Sequence, residues 1–526
     1  MSGFDTLFIH GNILAPERLP LRSAVAVKEG KVVCIADEAS LLDDADAHVT
    51  IVDLEGGSLV PGFEDAHAHI WKVGQLLTTS LDQRGVSSIE KISSLIRERN
   101  TKLPADAWLL GRGFNEISMA EGRIPTRRDL DLCAPDRPVL LTRTCGHIFV
   151  ANSRALELAG IDRHAISPDG GVIEREASGE PSGILHETAV GLVNRVIPAP
   201  TRSEYRAMLT AALKHQLSVG ITSSSDCGVL PALLDTYLEM DADGTLPARM
   251  NVMPLGRPDG ATGPLHLAPQ QHSIMLRIDT VKFLADGGLS GATSALSVPY
   301  RNSDKCGVTR FADGEFEELF LDAQKQGWRI ATHAIGDAAI EQVLAAYESL
   351  PAHPRGWAHR MEHVGLPSRA QLARMKKANV MAVTQPIFLD ELGANFGTYL
   401  PDALADRVYP VRQMFEAGLV VSFSSDAPVV VNDSPLAGIK AAILRRTTAG
   451  EVILPAESVT AEQSLWAYTV GSAMASGEES TRGRIKPGYW ADFALLSDDP
   501  TSVDPEALDS IRVTRTYLGG KLVYAA

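Results

Sequence analysis

The sequence predicts an α/β protein: a (β/α)8 TIM barrel, a small β-sandwich domain built from both termini, and a lid inserted after the first barrel strand. Three observations lead there. Eight short apolar runs alternate with helix-like stretches through the middle of the 526-residue chain. Both ends carry the texture of short strands and tight turns. The step from the first barrel strand to the second is far longer than one β/α unit needs.

At the N-terminal end, Thr6 to Ile9, Ala24 to Val27 and Lys31 to Ile35 read as strands bounded by Gly11, Glu29-Gly30 and Asp37. The C-terminal end repeats the pattern with Ala491 to Leu496, Val513 to Leu518 and, past the Gly519-Gly520 turn, Leu522 to Tyr524. Between these ends the expected barrel strands are Leu59 to Phe63, Gly220 to Ser224, Arg249 to Met253, Thr280 to Leu284, Arg329 to Thr332, Arg360 to Glu362, Val380 to Thr384 and Val420 to Ser424. Helices are expected at Glu315 to Gln326, Ala338 to Ser349 and Ser368 to Ala378. Strand starts at 220 and 249, and at 329 and 360, are spaced as single β/α units. The expected division is therefore residues 1–58 and 483–526 for the sandwich and 59–482 for the barrel, with the lid at about 72–215. The lid contains the apolar run Val139 to Leu141 and a helical stretch from Ile89 to Arg99. The Gly/Ser-rich segment from Asp286 to Arg310 suits an active-site loop.

Composition narrows the function. The net charge of −16 disfavours a polyanion partner, so no nucleic acid is expected. No segment reaches the length of a membrane span, so no membrane is expected either. The five cysteines are scattered and lack a C-x-x-C pair, which predicts reduced thiols in a cytoplasmic protein. A homodimer is compatible with the acidic surface, though nothing in the sequence specifies one.

The motif Pro61-Gly62-Phe63-Glu64-Asp65-Ala66-His67-Ala68-His69 carries the chemistry. Two histidines at i and i+2 of a strand project from one side. Lys282, His333, His363 and Asp426 each lie in or just after another short apolar run, at the strand ends where barrel chemistry sits. Histidines and a carboxylate without thiolates suit Zn²⁺, with manganese or iron as other divalent occupants. Such an ion lowers the pKa of a bound water to about 7. An ammonium cannot ligate a metal, so Lys282 is expected either to be modified or to pair with an acid such as Asp286. Asp337 is expected to cap the helix that follows it.

These segments resemble the amidohydrolase superfamily, and most closely its amidohydrolase-3 branch, which includes N-substituted formamide deformylases. The residues that carry the resemblance are the 61–69 motif, Val281 to Gly287, Thr332 to Asp337, Arg360 to His363, Ser424 to Pro428 and Gly483 to Asp492, with Arg143 to His147 and Asn152 to Leu156 in the lid. The resemblance implies that His67, His69 and Asp426 bind one metal ion and that His333 and His363 bind a second. It implies that Lys282, carboxylated by CO2, bridges the two. Glu64 stands where the family usually carries an apolar residue, and is expected to point away from the site.

The implied activity is hydrolysis of a C–N amide-type bond in a small-molecule substrate, an N-substituted formamide or N-acyl amine. Asp426 would shuttle the proton. His147 in the lid would contact the substrate and stabilise the oxyanion. The same machinery would serve a deaminase of a cyclic amidine or aminoheterocycle, or an esterase or lactonase. A silent metal-binding scaffold is the remote alternative. Trp71, Tyr300 and Phe388 are aromatics that could line a pocket, though aromatics are usually packing.

Overall fold

A computed structural model of the protein describes residues 3–14, 23–103, 107–258, 261 and 263–526. Eight parallel strands organise its centre: β1 (Phe63–Ala68), β2 (Ile221–Val229), β3 (Arg249–Pro254), β4 (Thr280–Leu284), β5 (Arg329–Ala334), β6 (His359–His363), β7 (Val380–Thr384) and β8 (Val421–Phe423). β1 pairs with β2 and β2 with β3, all parallel. β4 through β8 pair parallel in chain order. Nearly every residue of these strands is buried, as expected for parallel strands covered on both faces.

Backbone bonds link the two sets of strands at both edges. The stretch Leu276–Ile278 pairs with β3 and runs through Asp279 into β4. Leu255 bridges Lys282, and the Gly256 amide donates to the Lys282 carbonyl at 2.8 Å. At the other edge the Asp426 amide donates to the His67 carbonyl and the His69 amide to the Ala427 carbonyl, each at 2.8 Å.

The structure corrects the first strand. The apolar run expected to lead into it forms a separate strand, Ser58–Pro61, which pairs antiparallel with Phe493–Leu496 in a terminal sheet. The barrel-type strand is the histidine motif itself. Its polar Glu64 and Asp65 are buried and bonded from side chain to side chain across the interior. Glu64 bonds Ser476 and lies beside Arg482, away from the histidines, as expected.

The termini form two sheets. One holds Thr6–Ile9, Ser23–Lys28, Lys31–Asp37 and Thr50–Asp53; the other holds Asn12–Ile13, Ser58–Pro61, Phe493–Leu496, Val513–Leu518 and Lys521–Ala525. Phe8, Val25, Leu59, Phe493 and Tyr517 share one apolar cluster between them. Phe8 sits edge-to-face on Phe493 and Tyr517, with ring centroids 5.4 and 5.0 Å away. A six-stranded sheet spans residues 81–187 and reaches the strand ends through Thr144, whose hydroxyl donates to the Val429 carbonyl at 2.8 Å. Among the described residues, no helix is long and apolar enough to cross a membrane.

Two helices flank β1. α1 (Ile70–Thr78) begins directly after His69. α2 (Arg202–Ser218) is closed at its start by a capping box between Thr201 and Glu204. They pack closely because α1 presents Gly74 to the backbone of α2. A β-carbon at Gly74 would fall 2.0 Å from the Met208 carbonyl oxygen. Gly74→Ala is therefore expected to destabilise the protein by about 1–3 kcal/mol, read as a lowered denaturation midpoint.

Candidate metal centre

His67 lies in β1, Lys282 in β4, His333 in β5 and His363 at the end of β6; His69 and Asp426 follow β1 and β8. The structure gathers all four imidazoles. Ring centroids of His67 and His363 are 4.8 Å apart, His333 and His363 4.4 Å, and His67 and His69 5.7 Å. The Asp426 Oδ1 lies 3.5 Å from His67 Nε2 and 3.4 Å from His69 Nε2. His67, His69 and Asp426 can offer three donor atoms within 4.8 Å of one another.

Each ring is fixed through the nitrogen that turns away from its neighbours. His67 Nδ1 donates to Glu362 at 2.7 Å, His69 Nδ1 to the Cys227 carbonyl at 3.0 Å, and His363 Nδ1 to Gln385 Oε1 at 2.8 Å. His333 reverses the sense: its Nε2 lies 3.1 Å from both the Gly287 carbonyl and Asp286 Oδ1, leaving Nδ1 free. Such outer partners fix the tautomer and leave a lone pair for a metal. Glu362 is itself held by the buried Arg360, Nε to Oε1 at 2.7 Å. His67, Cys227 and Glu362 also offer mutually close donors, but the ties of Glu362 to His67 and Arg360 make it an anchor for the first ring.

Electrostatics keep the imidazoles neutral. Burial, reinforced by Lys282, holds His67 and His333 well below the usual histidine value. Burial brings His69 down to about 4, helped by Lys72, and His363 to about 3, helped by His333. For Asp426 burial pushes upward, but His69, His67 and His363 together outweigh it and hold the carboxyl well below its ordinary range. Two polar atoms stand without a hydrogen-bond partner at this point, Asp426 Oδ1 and the buried Lys282 Nζ. A carboxylate oxygen and an amine left bare among neutral imidazoles are a donor set that fits a divalent ion. The backbone is strained here too: His363 and Asp426 adopt φ of +72° and +55°. Left-handed residues of this kind cost about 1–3 kcal/mol each and cluster at functional sites.

Several expectations are revised. Asp286 does not pair with Lys282; its carboxylate accepts the amides of Ala295, Ile335 and Gly336 and faces His333. Asp337 does not cap its helix, α3 (Asp337–Ser349), whose cap is Gly336. Its carboxylate instead accepts the Ser297 amide and pins the 286–310 segment. Of the three aromatics, Phe388 lines the cavity beside the site, Tyr300 is tied to Ser294, and Trp71 packs on Tyr205.

His147 reaches the site from the six-stranded sheet, its ring 6.2 Å from that of His333. Its Nδ1 lies 2.9 Å from Glu187 Oε2. Burial opposes a charge on His147, but Glu187 more than offsets it and raises the imidazole above its ordinary value. The sequence carried no signal for Glu187. His147, His333, His363 and Asp426 border a cavity of about 30 Å³ whose other walls include Leu289, Phe388, Leu392, Phe396 and Tyr409.

The model of the Amidohydrolase family matches residues 50–524. The N-substituted formamide deformylase of Arthrobacter pascens is 30% identical over 544 residues, covering 99% of this chain and 98% of that one. An uncharacterised metal-dependent hydrolase from Pyrococcus horikoshii OT3 superposes with a TM-score of 0.76 at 25% identity, covering 95% of this chain and 99% of that one. Its counterpart from Pyrococcus furiosus gives 0.73 at 26%, covering 94% and 100%.

Proposed function

The chain belongs to the amidohydrolase family and is a metal-dependent hydrolase of carbon–nitrogen bonds; from that premise we propose that its substrate is an N-substituted formamide or another N-acyl amine. The likeness to the deformylase over almost the whole chain supports the substrate class. The convergence of four outward-anchored imidazoles on Asp426 and a bare Lys282 amine carries the reading of the site.

In this reading His67, His69 and Asp426 hold one divalent ion, zinc by the chemistry of the donors, and His333 and His363 hold a second. When bound, such an ion polarises a carbonyl oxygen and lowers the pKa of a water to about 7. Lys282 is carboxylated: its neutral amine adds to CO2, loses a proton and becomes an anionic carbamate, whose oxygens would serve as further metal donors. Burial favours the unprotonated amine that this addition requires. Asp426 accepts a proton from the attacking water on its carboxylate and returns it to the departing nitrogen. His147, oriented by Glu187, donates to the oxygen on which charge develops.

The architecture behind this reading is one barrel formed by β1 to β8, supported by the bonds across both strand edges. We place the lid at about residues 72–215 and a terminal sandwich at 1–58 and 483–526; the six-stranded sheet and the two terminal sheets support that division. Glu362→Gln is expected to weaken metal affinity about 10–100-fold by loosening His67, read by titration in a metal buffer. Turnover is tested with a panel of formamides and N-acyl amines on zinc-replete protein. No turnover across that panel would overturn the substrate assignment.

A further inference from the structure

Beside the metal centre lies a pair of cations with no acid to hold them. Arg112, on the strand Leu109–Phe114, is 9% exposed and its Nε has no hydrogen-bond partner. None of its other guanidinium nitrogens bonds a described residue either. Three other buried arginines are paired with acids, Arg143 with Glu116, Arg249 with Asp492 and Arg360 with Glu362, at 2.6–2.7 Å, and the buried Arg329 and Arg445 donate to backbone carbonyls. Arg112 lies under the turn that delivers His147, since a β-carbon at Gly146 would fall 3.2 Å from its Nη2. Lys72, one turn into α1 after His69, is partly buried and lies within electrostatic reach of Arg112, and both lie within reach of Asp426.

The nearby acids are committed elsewhere. Asp226 accepts the Tyr237 hydroxyl at 2.7 Å and the Ile70 amide at 3.2 Å. Asp426 faces the histidines. A desolvated guanidinium next to a second cation is costly unless something anionic completes it. Arg presents a fork of donors matched to a planar carboxylate, and Lys adds a point charge.

We propose that Arg112 and Lys72 form a carboxylate-binding subsite, so that the substrate is an N-acyl amine bearing an acidic group, such as an N-acyl amino acid. The proposal rests on the hydrolase reading above and deepens it. The cavity that His147 borders has apolar walls of Leu289, Phe388, Leu392 and Phe396, and Arg112 lies outside that lining under the turn that carries His147, so the walls would take an aliphatic or aromatic portion and the cation pair the acid.

The test is calorimetric titration of metal-replete protein with 4-methylpentanoate and with its neutral isostere 4-methylpentanamide. The carboxylate is expected to bind at least about tenfold more tightly, and Arg112→Met and Lys72→Met each to shrink that preference about tenfold. Arg112→Lys is expected to keep part of it. Lys72, partly exposed, guards against a folding defect in the arginine variant. Absence of a preference, or a preference that survives both methionine substitutions as binding to the metal alone would give, overturns the subsite. Turnover of N-formyl-leucine and of N-isopentylformamide reports separately: an intact carboxylate preference without hydrolysis of either would overturn the hydrolase reading and leave the subsite standing.

Discussion

Asp426→Asn is expected to lower kcat by about 10²–10⁴-fold while the protein keeps most of its metal. The reasoning is local. Asparagine preserves the shape of the side chain and one oxygen that can still face His67 and His69. It cannot accept and return a proton. In the native protein the Asp426 carboxyl lies well below its ordinary range and is therefore ionised, the form a base requires. The substitution therefore removes the proton carrier more completely than it removes a donor atom. Steady-state kinetics beside elemental analysis separates the two. Near-native kcat with native metal content would remove Asp426 from the proton path.

His67→Asn is expected to have the opposite signature, losing metal and activity together to background. His67 is a hub. Its Nδ1 is tied to Glu362, its Nε2 faces Asp426, and its ring touches those of His69 and His363. Asparagine is too short to reach the same point, and it leaves Glu362 and Arg360 buried with one contact fewer. Metal content measured on protein purified without chelator, with activity before and after added Zn²⁺, gives the result. Full metal content in this variant would mean that the ion sits elsewhere.

Much of this centre is legible in the sequence, because metal donors belong to few residue types and barrel chemistry gathers at strand ends. His67, His69, His333, His363 and Asp426 met both conditions. The first strand was misplaced because its neighbours are remote. The apolar pair Leu59-Val60 is claimed by a strand more than four hundred residues later, and the polar Asp65 is buried with hydrogen bonds from the remote Ser425 as well as from the His67 amide. Pairings that depend on how the 81–187 sheet docks were equally invisible. Glu187 lies forty residues from His147, and Arg112 and Lys72 come from different elements. Neither spacing nor residue type marks such partners. Asp286 and Asp337 illustrate a subtler failure. Each is a carboxylate at a position where a cap or an ion pair was the natural expectation, and each is used instead to accept backbone amides that fix the 286–310 segment.

The central claim is that these side chains surround one divalent ion or a close pair of ions. Diffraction from zinc-loaded crystals, recorded on both sides of the zinc absorption edge, tests it most directly. An anomalous peak is expected about 2.0–2.2 Å from His67 Nε2, His69 Nε2 and an oxygen of Asp426. A second peak is expected beside His333 Nδ1 and His363 Nε2, with carbamate density on Lys282. Zinc bound elsewhere on a protein whose four histidines and Asp426 remain bare would contradict it.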